Sequence, residues 1–257
     1  MHKPFFKKEK LRESFQKIGE ELNKPLTVFM FGGGAMAFRN QKQGTKDLDL
    51  VFQNQGEFHD FANALEKSGF HEIHKLEKPY QQMAASGIWE NKEEFRLDVF
   101  VKIVCNALEL TPSVEKRSEL LEKFGNLTVR MFSSEDLILF KGITDRPADT
   151  EDVSTIIKSA KVNWGIVLEE CTLQSKKRAW HGSLLNKLNE IEERDKLIIP
   201  ITLQLQKLAD RAILVQFYKD KQEEGKPPEE IMKELNARGF TESEIKQLKK
   251  DLHLVQQ

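Results

Sequence analysis

Residues 26–52 read LTVFMFGGGAMAFRNQKQGTKDLDLVF, and the fold turns on this stretch. Positions 26–31 form a short apolar run with β-formers at Val28 and Phe29, bounded by glycine. Such a run predicts a buried strand. Gly32, Gly33 and Gly34 follow at once, then AMAF, the first turn or two of a helix. Glycines let a backbone approach phosphate closely, and a helix start offers free N–H groups. Glycines after a strand also serve as simple tight turns. Residues 47–52, DLDLVF, alternate acid with apolar side chains, which predicts a strand with one polar face. Asp47 and Asp49 then share that face, about 6.5–7 Å apart, while Leu48 and Leu50 point into the core.

Outward from this stretch, residues 9–22 place Leu11, Phe15, Ile18 and Leu22 at helical spacing. Residues 57–67 predict a helix closed by Gly69. QQMAASGIWE and EFRLDVFVKIV predict two strands joined through Asn91-Lys92-Glu93. In the second, Asp98 stands mid-strand between Arg96 and Phe100, on the face opposite Leu97, Val99 and Val101. Aspartate disfavours strands, so this acid asks for a partner: Arg96, a neighbouring lysine, or a cation shared with Asp47 and Asp49. Two carboxylates on one strand face repel each other unless a cation sits between them, and Mg²⁺ or Mn²⁺ takes oxygen ligands of this kind. A solvated edge-strand face is the plain alternative for a DxD pair.

From Val114 the pattern turns helical, with one more strand at 127–132. Ser133 reads as an N-cap with Asp136 three residues on, and 149–161 as a helix. Strands are not expected after about residue 162. A helix at 201–218 stripes Ile201, Leu205, Leu208, Ala212 and Val215. A charged linker follows at 219–230, then a helix from Pro227-Pro228 to Gly239 and a last one capped by Thr241 with Glu244, striped by Ile245, Leu248, Leu252 and Val255. The expected division is a domain at 1–160 that carries the chemistry, a helical region at 161–222, and a linker with a small helical tail at 223–257. The fold class expected is α+β, a mixed sheet flanked by helices and followed by an all-helical C-terminal region.

Composition narrows the function classes. Of 257 residues, 39% are hydrophobic and 32% charged, an ordinary globular balance. With 40 basic and 41 acidic residues the net charge is −1, which excludes a globally basic nucleic-acid coat. Cys105 and Cys171 form no CxxC pair, which excludes a disulfide scaffold or cysteine-rich zinc site and fits a reducing cytoplasm. No apolar run approaches a membrane span, and the charged N-terminus carries no signal-peptide pattern. The 17 phenylalanines predict a Phe-packed core.

Together, Gly32-Gly33, the thirteen residues Gly34 to Lys46, Asp47-Leu48-Asp49 and the later Asp98 resemble the polymerase-beta-like nucleotidyltransferase superfamily. The detail FGGGAMAF…GTKDLDLVF is most similar to its minimal prokaryotic branch, related to abortive-infection (type IV toxin–antitoxin) nucleotidyltransferases. That branch also shows a segment like SSEDLILFK followed by Arg, Asp and Asp, matched here by Lys141, Arg146, Asp149 and Asp152. The resemblance covers roughly residues 26–160. It implies transfer of a nucleoside monophosphate from a nucleoside triphosphate, ATP among them, to an acceptor hydroxyl, with release of pyrophosphate. It implies that Asp47 and Asp49 hold two Mg²⁺ or Mn²⁺ ions, and that Asp98 binds the ion nearer the acceptor and takes up its proton. Gly32 and Gly33 would offer N–H groups to the triphosphate, and Thr45 would touch a phosphate oxygen. Lys141 either reaches the β/γ-phosphates or neutralises the end of its helix. Arg146, Asp149 and Asp152 read as an ion-paired helix start. The pattern departs at Gln43, where an arginine is usual and Arg39 or Lys42 stands nearby, and at Ala148, where a basic residue is usual.

Two rivals remain. Gly32-x-Gly34-x-x-Ala37 matches a dinucleotide-binding fingerprint, but about ten residues separate Ala37 from Asp47, too few for a crossover helix. The second is a nucleotidyltransferase-fold regulatory or binding module, antitoxin-like, whose C-terminal helices bind a protein partner. The acceptor class stays open between RNA, protein and a small molecule.

Overall fold

The computed structural model describes residues 4–74, 84–176 and 178–254. Helix α1 (Lys8–Glu21) leads into strand β1 (Leu26–Phe31), which breaks without a loop into helix α2 (Gly32–Phe38). Strand β2 (Asp47–Phe52), helix α3 (Gln55–Lys67) and strand β3 (Phe70–Glu72) follow. Strands β4 (Gly87–Asn91) and β5 (Arg96–Val101) form the expected hairpin, and β6 (Ile103–Val104) pairs with β7 (Leu108–Glu109). Helix α4 (Pro112–Arg117), strands β8 (Glu119–Phe124) and β9 (Leu127–Met131), and helices α5 (Ser134–Gly142) and α6 (Pro147–Ser159) follow. The rest is helical: α7 (Trp164–Gln174), α8 (His181–Asp195), α9 (Thr202–Glu223), α10 (Pro228–Ala237) and α11 (Glu242–Leu254). Residues 81–83 of the expected QQMAASGIWE strand and Val255 of the last stripe lie outside the described residues.

The main sheet has the strand order β3-β4-β5-β2-β1-β9-β8. β1 lies antiparallel to β2 and parallel to β9, and β2 lies parallel to β5. This is the expected mixed, nucleotidyltransferase-like sheet flanked by helices. The antiparallel β1–β2 pair leaves no right-handed βαβ unit across residues 26–52, so the dinucleotide-binding reading falls on topology as well as on length. β1 is an interior strand between β2 and β9, with Val28 to Phe31 all buried, which is why it reads as a continuous apolar run. The ring of Phe31 lies 5.4 Å from that of Phe132 and 5.8 Å from that of Phe100, the centre of a Phe-packed core.

The sequence pattern missed the two-residue β7 and the edge strand β8. ELLEKF at 119–124 carries helix formers, yet it pairs antiparallel with β9 as an edge strand. Gly125 closes the turn at φ +57°, a conformation open to glycine at little cost. Edge pairing leaves Leu120 exposed, so no alternation marks the strand.

The chain divides into two compact units, Met1–Glu170 and Cys171–Gln257. In the second, Leu214 and Tyr218 of α9 pack with Ile231 and Leu235 of α10 and Ile245 and Leu248 of α11. Helix α9 runs on to Glu223, well into the stretch expected as linker, because its charged end continues the turn without a breaker until Gly225. Its fully buried positions include Leu205, Ala209, Leu214 and Tyr218; Leu208, Ala212 and Val215 of the expected stripe are half-buried. Thr241 caps α11 as expected, its hydroxyl and N–H both donating to Glu244 at 2.7 Å.

Candidate active site

Strand register assembles the site. Asp47 and Asp49 are half-buried on one face of β2, and Leu48 and Leu50 are buried on the other. In the parallel β2–β5 ladder, Asp49 is the register partner of Asp98, and Asp47 that of Arg96. The four side chains therefore form a two-by-two array on one sheet face. Asp98 and Arg96 are 1% and 5% exposed. The Arg96 guanidinium is bonded to Asp98 Oδ2 and lies 3.6 Å from Asp47 Oδ2. The pairing of Asp98 with Arg96, one of the open alternatives, is thus present.

Gly32 stands where β1 meets α2, at φ +62°. A β-carbon there would lie 2.0 Å from Asp49 Oδ2, and one on Gly33 would lie 2.6 Å from Thr45 Oγ1. Thr45 is buried, and its hydroxyl donates to the Asp47 carbonyl oxygen at 2.8 Å. Its single proton steadies the start of the DxD strand. Dehydration raises the Asp49 carboxyl well above the ordinary range. The charges of Asp47 and then Asp98 add to this, and Lys141 and Arg146 oppose it.

A cavity of about 260 Å³ opens beside Asp49 and Gly32. Its walls include Phe31, Leu108, Leu137 and Phe140, with Arg146 and Cys105 among its polar groups. Dehydration and the charge of Asp49 push the Cys105 thiol up to about 11. Lys141 lines this cavity too, but its ammonium bonds Asp149 Oδ1 at 2.8 Å and Asp152 Oδ2 at 2.7 Å. Burial alone would lower the Lys141 pKa; Asp149 and Asp152 outweigh it and hold it above the ordinary value. Arg146 adds a 2.7 Å contact to Asp149, so the ion-paired start of α6 is as expected. Lys42 bonds Asp152 at 2.6 Å, and Arg39 bonds Glu119 and the Phe132 carbonyl, so the two basic residues near Gln43 are both engaged in ion pairs.

The structure therefore brings together Asp47, Asp49, Asp98, Gly32, Gly33 and Thr45, and sets Lys141 on the cavity wall. The sequence reading did not foresee the cavity wall from β7 and α5, or the buried network in which Arg117 bonds both Asp136 and Glu170 at 2.6 and 2.8 Å. Both depend on contacts between segments far apart in the chain, which leave no local pattern.

The donor chemistry of the three aspartates fits a hard divalent cation. The cradle fits as well, since Gly32 leaves the Asp49 carboxylate room that any β-carbon would take. Among the described residues, no group of three or more His, Cys, Asp or Glu is already gathered closely enough to hold a metal. The Arg96 guanidinium stands against two of the three carboxylates.

The fold is that of a nucleotidyltransferase-like domain. The chain belongs to the nucleotidyltransferase family of unknown function DUF6036, whose model matches residues 9–198. No curated protein matches the chain. Among solved structures, it is similar to ANT(2″)-Ia in complex with adenylyl-2″-tobramycin, at TM-score 0.44 and 17% identity over 66% of this chain and 98% of that one. It is also similar to a candidate nucleotidyltransferase from H. pylori, at TM-score 0.37 and 14% identity over 79% of this chain and 91% of that one. Among the described residues, no helix is long and apolar enough to cross a membrane.

Proposed function

We propose that this protein moves a nucleoside monophosphate from a nucleoside triphosphate to an acceptor hydroxyl, with Mg²⁺ or Mn²⁺ held by Asp47, Asp49 and Asp98. The observation that carries this reading is the register of β2 on β5, which sets three carboxylates on one face beside a glycine-lined turn. The bound ions would supply charge neutralisation for the attacking and leaving oxygens. Asp98 takes up the acceptor's proton. Gly32 and Gly33, without side chains, let the triphosphate approach the backbone, and Thr45 keeps Asp47 in place through its hydroxyl bond. The cavity seats an apolar or aromatic portion of a substrate against Phe31 and Phe140, with Arg146 at its polar side. Lys141 holds Asp149 and Asp152 and shapes the cavity wall, and a phosphate contact would have to compete with those two carboxylates.

The motif resemblance supports work in the cytoplasm within a toxin–antitoxin or defence system, with the C-terminal helices as the seat of a protein partner. A second reading, a regulatory module with little catalysis, is favoured by one observation: Arg96 already engages Asp47 and Asp98. A transfer assay separates the two. The protein is incubated with Mg²⁺ or Mn²⁺, each α-labelled nucleoside triphosphate, and RNA, protein or small-molecule fractions as acceptors, with Asp47→Ala/Asp49→Ala as control. Label that moves into one fraction and is lost in the double variant supports the transferase and names its acceptor class. Metal-dependent triphosphate binding without transfer supports the regulatory module.

A further inference from the structure

Arg96 gives the carboxylate array a cation of its own. It sits two residues before Asp98 on β5, opposite Asp47 in register, with its side chain 6% exposed. Its guanidinium is bonded to Asp98 and 3.6 Å from Asp47. A guanidinium is permanently charged and presents its N–H fork to carboxylate oxygens. A hard divalent cation asks for the same oxygens. Both cannot hold Asp47 and Asp98 fully at once.

We propose that Arg96 competes with the divalent cation for Asp47 and Asp98, and so sets the cation concentration at which the site loads. This rests on the reading of the three aspartates as a metal site. Arg96 is a positioning residue here: it keeps like charges together on one face while the sheet forms, and it yields them to a stronger cation. Removing its charge therefore has two opposite effects. The array becomes more repulsive and less stable without a divalent ion, and it binds that ion more tightly. A purely structural arginine predicts the reverse for binding, since its loss would let the carboxylates splay.

The test is Mn²⁺ binding, read from the loss of the free-ion paramagnetic resonance signal, on the full chain and on Arg96→Met and Arg96→Lys. Methionine keeps the apolar stem and removes the charge. The expected result is Mn²⁺ binding about tenfold tighter in Arg96→Met, with a smaller tightening in Arg96→Lys. The thermal midpoint of Arg96→Met should start lower than the parent's and rise more with Mn²⁺. A folded Arg96→Met with parental or weaker Mn²⁺ affinity overturns the competition and leaves the metal site standing. Should Arg96→Met fail to fold, Arg96→Lys decides, with tighter binding supporting the proposal and equal or weaker binding overturning it. No Mn²⁺ bound by the parent or either variant overturns both the proposal and the metal reading beneath it.

Discussion

Asp49 fills the space that any side chain at Gly32 would need: a β-carbon there would stand 2.0 Å from Asp49 Oδ2. Gly32 also holds φ +62°, where a β-carbon is strained whatever the space around it. Gly32→Ala should therefore lower stability by about 1–3 kcal/mol and abolish transfer by displacing Asp49. Gly34 is the matched control. A β-carbon on it meets the ends of two buried side chains, Leu48 at 2.5 Å and Met30 at 3.0 Å, and displaces no carboxylate of the site. Gly34→Ala should cost less and keep most activity. Thermal unfolding together with the transfer assay checks both; equal losses in the two variants would count against the Gly32 argument.

Asp49 and Asp98 should respond oppositely to the same isosteric change. Dehydration and the charges of Asp47 and Asp98 disfavour ionised Asp49, so Asp49→Asn relieves repulsion and should raise the melting temperature. Asp98→Asn instead deprives the buried Arg96 of its carboxylate and should lower it, since breaking a buried pair is costly. Both variants should lose about two to three orders of magnitude in transfer rate. A rise in melting temperature without loss of transfer in Asp49→Asn would remove that residue from the catalytic group.

Much of this site was legible because strand chemistry is local. Period-two alternation put Asp47 and Asp49 on one face, and Asp98 betrayed itself as an acid among β-formers. The missing information was register. The sequence does not say that Asp49 opposes Asp98 rather than Arg96, and that two-residue choice of register, which keeps the same face, decides which groups the guanidinium bonds. The edge strand at 119–124 was hidden for a related reason: with little buried on either face, no alternation is needed, and its pairing with β9 decides its conformation. The role of Lys141 was open between phosphate and helix end because its partners Asp149 and Asp152 come from the next helix. The cavity wall from β7 and α5 has no local signature at all.

His181, at the start of α8, is buried, and neither ring nitrogen has a hydrogen-bond partner among the described residues. Burial lowers its pKa from the ordinary 6.5. The unfolded chain therefore takes up this proton at a higher pH than the folded one does. Its contribution to stability is complete above about pH 6.5 and falls as the pH drops below that value. His181→Leu should flatten the pH dependence of unfolding between pH 7 and pH 5, read by far-ultraviolet circular dichroism in denaturant. An unchanged slope in the variant would show that other groups set the acid sensitivity.

Lys141 offers the sharpest separation of structural from catalytic roles. Its buried ammonium is shared by Asp149 and Asp152. Burial would push the Asp149 carboxyl up, but Lys141, Thr144 and Arg146 outweigh that and bring it below the ordinary range. Lys141→Met leaves both carboxylates buried without this cation and should cost about 3–5 kcal/mol near neutral pH. The sign with pH follows from the depressed carboxyl. Its stabilising contribution is present above the ordinary carboxylate range and is lost as pH falls through the lowered folded value. The gap between parent and Lys141→Met should therefore be widest near pH 7 and narrow as the pH falls below about 4. Denaturant unfolding of both proteins across that range tests it. A gap that stays constant with pH would mean that Lys141 does not set the Asp149 carboxyl. A stability unchanged at pH 7, with transfer lost, would move the residue from the cavity wall to the phosphates.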